Sequence, residues 1–275
     1  AIWGVWLMNY RQLAKDHLKF AHNELSSSSD PRLKYAALEL RMAMEAITYD
    51  RALAYKDEFP PSEYETWQPK KVLMVLLEID SDADTSSTIS IGVQPDSHTL
   101  PDTMQLLGTE KTFTLRMLKK HYDALGSYLH VISMKQSRTG NLQNMNKLRR
   151  RCEEIYQFLD EALRSPVFNM TLGNFSSLVC QECGKTIRKR IPHSFKEPIL
   201  ADCFNCKAKY TLTDGGSGNV CWTLNQHELQ CSNPKCQKSI TVLDHELTVG
   251  RHWICPACNG KNTIVLGIQH QNQEE

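Results

Sequence analysis

Eight of the ten cysteines in this 275-residue chain fall into four close pairs within its last hundred residues. Cys180-x2-Cys183 and Cys203-x2-Cys206 are separated by nineteen residues, and Cys231-x4-Cys236 and Cys255-x2-Cys258 by eighteen. A thiolate is a soft ligand, and zinc takes four such ligands in a tetrahedron. A short turn between two cysteines aims both sulfurs at one ion and frees backbone amides to hydrogen-bond them. Two such turns close a site. The spacing therefore predicts two structural Zn2+ ions per chain, each with all four positions filled by protein and none left open for catalysis. Disulfides are the alternative, but no export signal is evident, and thiols in a reducing cytoplasm read as metal ligands. Cys152 and Cys221 lie outside both sets and are expected to be small core residues.

The runs after the first pair of each set, Lys185 to Ile191 and Gln237 to Leu243, read as strands leaving a knuckle. The arrangement resembles tandem zinc ribbons over about residues 178–266. The first carries Lys185, Arg188, Lys189 and Arg190. Alternate side chains of a strand share a face, so Arg188 and Arg190 project together. They could bind the phosphates of RNA or DNA, or serve as a charged edge strand that avoids pairing with other chains. Phe204, Tyr210, Trp222 and Trp253 could stack on bases, but in units this small aromatics more often build the core.

Ahead of the cysteines the texture is helical. Residues 10–25 form a charged amphipathic stretch. Asp30-Pro31 reads as an N-cap followed by proline at the first helical position. Leu33, Ala37, Leu40, Met44 and Ile47 recur at alternating steps of four and three, which places them on one face. Further helices are expected over 69–79, 110–133 and 142–164, with a long loop over 80–107 that includes a short strand near 88–93. Ser137 to Asn141 reads as a turn. The expected fold is α+β and multidomain: an all-α bundle over 8–165, zinc ribbons over 167–215 and 216–268, and a polar tail over 269–275. Met8 reads as the natural start, with the seven residues before it foreign or mis-assigned.

The segments Tyr35-Ala-Ala-Leu-Glu-Leu-Arg-Met-Ala-Met-Glu-Ala-Ile47 and Leu115-Arg-Met-Leu-Lys-Lys-His-Tyr122, with the helix layout around them, resemble the HEPN superfamily over about residues 8–164. The resemblance implies a four- to five-helix bundle of the kind found in prokaryotic toxin and defence proteins and in RNA-processing enzymes. Many members are metal-independent ribonucleases that complete their site by dimerisation and carry an Arg-x4-6-His motif on a late helix. Arg116 and His121 match that spacing. His121 would then move a proton at the ribose hydroxyl or the leaving oxygen, and Arg116 would stabilise charge in the transition state. Met117 stands where active members place a polar residue. His121 also fits a boundary position on a packed helix, between Leu118 and Leu125. Two other pairs share the spacing, Arg11 with His17 and Arg188 with His193. Arg41 with Glu45 and Lys119 with Asp123 read as surface ion pairs.

The net charge of +1 gives no general attraction to polyanions, so any charged partner must be read by a local patch. No run of apolar residues is long enough to span a bilayer, and no nucleophile triad, phosphate loop, dinucleotide fingerprint or HExxH helix occurs. The favoured reading is a cytoplasmic zinc-containing adaptor that binds nucleic acid or protein, in a prokaryotic defence or toxin-type system. It would contact RNA or DNA through the first ribbon, could dimerise through the helical region, and has no membrane contact. The second reading is a ribonuclease of the HEPN type whose ribbons grip RNA.

Overall fold

The computed structural model describes residues 8–56, 68–96, 99, 101–139 and 143–267. The chain divides into two compact units, Ala1–Leu172 and Gly173–Glu275. The seven leading residues and the expected polar tail lie outside the described residues.

In the first unit, α1 (Tyr10–Leu25) is capped by the Asn9 side chain, which accepts from the Gln12 amide. Its buried residues Arg11, Ala14, Leu18 and Ala21 step by three, four and three. The second helix, α2 (Asp30–Leu53), packs against α1, α3 (Pro69–Ile79), α4 (Leu115–Leu129) and α6 (Met145–Arg164). With neighbours on several sides it buries far more than one stripe. Ala36, Ala37, Ala43 and Ala46 let those neighbours come close. The α2 N-cap is Ser29, one residue earlier than the sequence suggests, so Asp30 is helical and Pro31 follows it in the first turn. α6 is capped by Asn144 and buries Leu148, Cys152, Ile155, Leu159, Ala162 and Leu163. A five-residue helix, α5 (Met134–Arg138), covers part of the expected turn.

The first unit is not all helical. Strands β1 (Ser87–Ile91) and β2 (Gln105–Glu110) form an antiparallel hairpin. Both strands are largely exposed, so they lack the alternation by which a half-buried strand is recognised. Helix α4 begins five residues after the expected Glu110, because Glu110 ends β2 and Thr114 caps the helix by accepting from the Met117 amide.

A buried polar network ties the chain after α6 back onto this unit. Arg51 donates to Glu110 Oε1 at 3.0 Å and to the Met170 carbonyl at 2.9 Å. Glu110 also accepts the amides of Asn169 and Met170. The Asn169 side-chain amide donates to Asp50 Oδ2, and Arg11 lies 3.6 Å from the same carboxylate. Arg11 further donates to the Ala162 carbonyl at the end of α6, while Arg149 on α6 donates to Leu25 and Ser27 at the end of α1. Each helix thus caps the free carbonyls of the other, which fixes them antiparallel. These bonds hold residues 165–170, and the unit ends at Leu172 rather than near Pro166.

The second unit is built from short antiparallel sheets. The hairpin β3 (Phe175–Val179)–β4 (Thr186–Arg190) is followed by a three-stranded sheet of β5 (Ile199–Asp202), β6 (Lys209–Gly216) and β7 (Asn219–Leu224). Then come the hairpins β8 (Gln226–Gln230)–β9 (Ser239–Leu243) and β10 (His252–Ile254)–β11 (Lys261–Thr263). The expected division at 215/216 falls at the β6–β7 turn. β7 pairs with β6, so the first module runs on to Leu224. Its core is Ile187, Ala201, Ala208, Tyr210 and Leu212 around Cys180 and Cys203.

Candidate metal centres

Each cysteine pair sits at the tip of its own hairpin, between β3 and β4, β5 and β6, β8 and β9, or β10 and β11. The four turns share one hydrogen-bond pattern. The first cysteine's amide donates to the carbonyl two residues beyond the second cysteine: Cys180 to Lys185, Cys203 to Ala208, Cys231 to Lys238 and Cys255 to Gly260. The residue after the second cysteine donates four residues back: Gly184 to Cys180, Lys207 to Cys203, Gln237 to Asn233 and Asn259 to Cys255. The two extra residues of Cys231-x4-Cys236 are therefore absorbed ahead of the turn, where Asn233 supplies the carbonyl that a cysteine supplies elsewhere. That following residue is left-handed in all four turns, with φ of 70° at Gly184, 67° at Lys207, 49° at Gln237 and 55° at Asn259. Only Gly184 adopts this conformation without steric cost.

These turns bring the sulfurs together. Cys180 and Cys206 are 3.6 Å apart, Cys183 and Cys203 3.5 Å, Cys231 and Cys258 3.7 Å, and Cys236 and Cys255 3.8 Å. All four sulfurs of each set lie within 4.8 Å of one another. A disulfide is about 2.05 Å long, and all eight cysteines are free thiols. Each set can hold one metal ion.

The two centres share a further feature. In the first, the Tyr210 hydroxyl donates to Cys180 Sγ at 3.3 Å and accepts from the Gln181 amide. In the second, the Asn262 side-chain amide lies 3.6 Å from Cys231 Sγ, and its oxygen accepts from the Ser232 amide. A buried polar side chain thus orients the leading cysteine of each set, the role that outer hydrogen bonds play at metal sites. In the sequence, Tyr210 reads as a stacking or core aromatic and Asn262 as an ordinary polar residue of the last strand. The only available signal was that each stands four residues beyond the last cysteine of its set.

The electrostatics also favour a cation. Burial opposes ionisation of Cys180, but the Tyr210 hydroxyl and the amides of Glu182 and Cys183 outweigh it and bring the thiol down to about 7. The amides of Ala257 and Cys258 help bring Cys255 down to about 7. Burial and the neighbouring sulfurs push Cys206 up to about 12. At Cys236 the Lys238 amide favours the thiolate, but burial, Cys258 and Cys255 outweigh it and lift the thiol to about 11. One thiolate forms readily in each set while another resists, and a bound cation removes that conflict.

Among the remaining candidates, Lys185 is exposed, whereas Arg188 and Arg190 are half-buried on one face, 4.0 and 5.0 Å from the centre of the Phe175 ring. Tyr210 is buried against Trp222. Cys152 is buried, and burial pushes its thiol up to about 12. Cys221 is exposed on β7 rather than part of the core, because that strand buries its alternate residues.

Arg116 and His121 both lie on α4 but do not converge. Arg116 is exposed and His121 is 3% exposed. Five residues turn a helix through about 500°, which leaves them roughly 140° apart around its axis. Among the described residues, His121 Nδ1 is buried without a hydrogen-bond partner, and Nε2 lies 3.9 Å from Glu154. The expected surface pairs are rearranged too. Glu45 accepts from the Tyr122 hydroxyl, Arg41 lies 4.0 Å over the Tyr122 ring, and Asp123 pairs with Lys70. In the other motif matches, Arg11 is spent on Asp50, and His17 bonds Glu39 at 2.7 Å.

Burial lowers the His121 pKa, aided by Arg151 and Lys120 and opposed by Glu154. The unfolded chain then takes up a proton near 6.5, where the folded chain does not. His121 therefore costs no stability above about pH 6.5, and stability falls as the pH drops below that value. An NMR titration of the ring should place its midpoint below 6.5; a midpoint at or above 6.5 contradicts this.

Comparison of the chain with protein-family models, with curated proteins and with solved structures returns no match. Among the described residues, no helix is long and apolar enough to cross a membrane.

Proposed function

We propose that the chain is a zinc-holding adaptor, with a HEPN-like helical unit joined to two tandem zinc ribbons. The sulfur geometry carries the zinc assignment. With Zn–S bonds of about 2.3 Å, a tetrahedron has edges of roughly 3.8 Å, and the paired sulfurs stand 3.5–3.8 Å apart. Four cysteines close each centre, so the metal braces the fold and leaves no position for a substrate.

The partner is nucleic acid, bound at least in part by the basic strand around Lys185 and Arg188. Support comes from the clustering of cations on and beside β4 and from the guanidinium groups held over Phe175. The placement in a prokaryotic defence or toxin-type system rests on the sequence resemblance alone. The ribonuclease reading has less support, since a proton-transfer group must reach its substrate and His121 is buried within one chain.

Elemental analysis of the purified protein should find about two zinc ions per chain; one or none overturns the tandem-ribbon reading. For the partner, Lys185→Gln/Arg188→Gln protein should bind RNA with a shallower dependence on salt. An unchanged slope removes this strand from the interface.

A further inference from the structure

The helical unit carries a groove of about 610 Å³ between α1 and α6, within the range of small-ligand sites. Its floor is apolar, formed by the buried Leu18 and Leu163. Along one wall, Lys15, Lys19 and His22 step by four and three, so they share a face of α1 over about 10 Å. Both lysines are exposed, and neither makes an ion pair among the described residues.

The opposite wall differs. Asp160 on α6 is already neutralised by Arg164 at 2.9 Å. The charge that remains open to a ligand is therefore positive. An aromatic group stands toward each end. Tyr156 lies against His22, with ring centroids 5.4 Å apart. Phe168 is 45% exposed, with the Arg11 guanidinium 3.8 Å over its ring. Arg11 itself is committed to Asp50 and to the carbonyls that end α6.

We infer that this groove binds single-stranded nucleic acid, with Lys15 and Lys19 on successive phosphates and Phe168 and the Tyr156–His22 pair under bases. The pairing of free amines with aromatic faces is the chemistry of sequence-tolerant strand binding. An acidic peptide would satisfy the lysines but leave the rings without stacking partners. The groove lies wholly in the first unit, and the inference does not rest on the ribbon reading.

The test is fluorescence anisotropy of a labelled ten-nucleotide uridine strand with the full chain, titrated with salt. Lys15→Gln/Lys19→Gln should reduce the slope of log affinity against log salt by about 1.4, about 0.7 for each phosphate no longer neutralised. Phe168→Ala should weaken binding about tenfold, the loss of one base stack, with the slope unchanged. Lys15 and Lys19 are exposed, so their replacement leaves the fold intact, and circular dichroism checks this. The inference is overturned if neither variant alters binding while Lys185→Gln/Arg188→Gln does. It is also overturned if the parent chain binds no strand, or if a poly-glutamate peptide or a mononucleotide binds as tightly as the strand.

Discussion

Cys255→Ser protein will hold one metal ion per chain in place of two and will lose ordered structure over residues 226–267. The second module has almost no core of its own. Beyond Cys231 and Cys255, its buried residues are Val242 and Asn262. Burying a valine is worth about 1.5–3 kcal/mol, whereas fixing the backbone of each residue costs about 1–2 kcal/mol. A structural zinc site supplies on the order of 10–16 kcal/mol, so an ion held by these four cysteines would carry the module. The first module adds Ile187, Ala201, Ala208, Tyr210 and Leu212, and Cys203→Ser should leave more of its sheet in place. Elemental analysis with amide hydrogen exchange separates the two variants. Two ions and protected β8–β11 amides in Cys255→Ser protein would sink the argument.

Glu110→Gln should destabilise the helical unit by about 3–5 kcal/mol, the typical cost of leaving a buried charge without its partner. The Arg51 and Glu110 side chains are only 10% and 5% exposed. Glu110 also accepts the amides of Asn169 and Met170, so the change weakens the strap that holds the chain after α6. Total stability of a domain is about 5–15 kcal/mol, so the shift should be plain in urea denaturation followed by helical circular dichroism. Arg51→Met/Glu110→Leu should recover only part of the loss, because it leaves no unpaired charge at this pair but still strips the Asn169 and Met170 amides of their acceptor. A loss below about 1 kcal/mol for Glu110→Gln would mean that water reaches Arg51.

The helical stripes were legible because burial on one face writes a period of three and four into the residues. Residues 10–25 and 69–79 are legible from that pattern together with the serine-rich break after the first and the proline that opens the second. The first turn of α4 was not, since it depends on which side chain caps the helix. Glu110 reads as a good helix starter, yet it ends a strand and faces Arg51, fifty-nine positions away. Of the β1–β2 hairpin only the first strand is legible, as a short strand near 88–93; the second is not, because it is largely exposed and leaves no alternation.

The cysteine spacing by itself determined which eight residues gather and in which two groups, since short ligand turns are local and their chemistry admits few other uses. Only the tertiary structure decided what surrounds them. Tyr210 and Asn262 reach the leading sulfurs across about thirty residues of chain. His121 turned inward and Arg116 outward because neighbouring helices, not the spacing of the motif, select the face that is buried. Contacts between distant segments leave no periodic trace in a sequence, and these choices rest on such contacts.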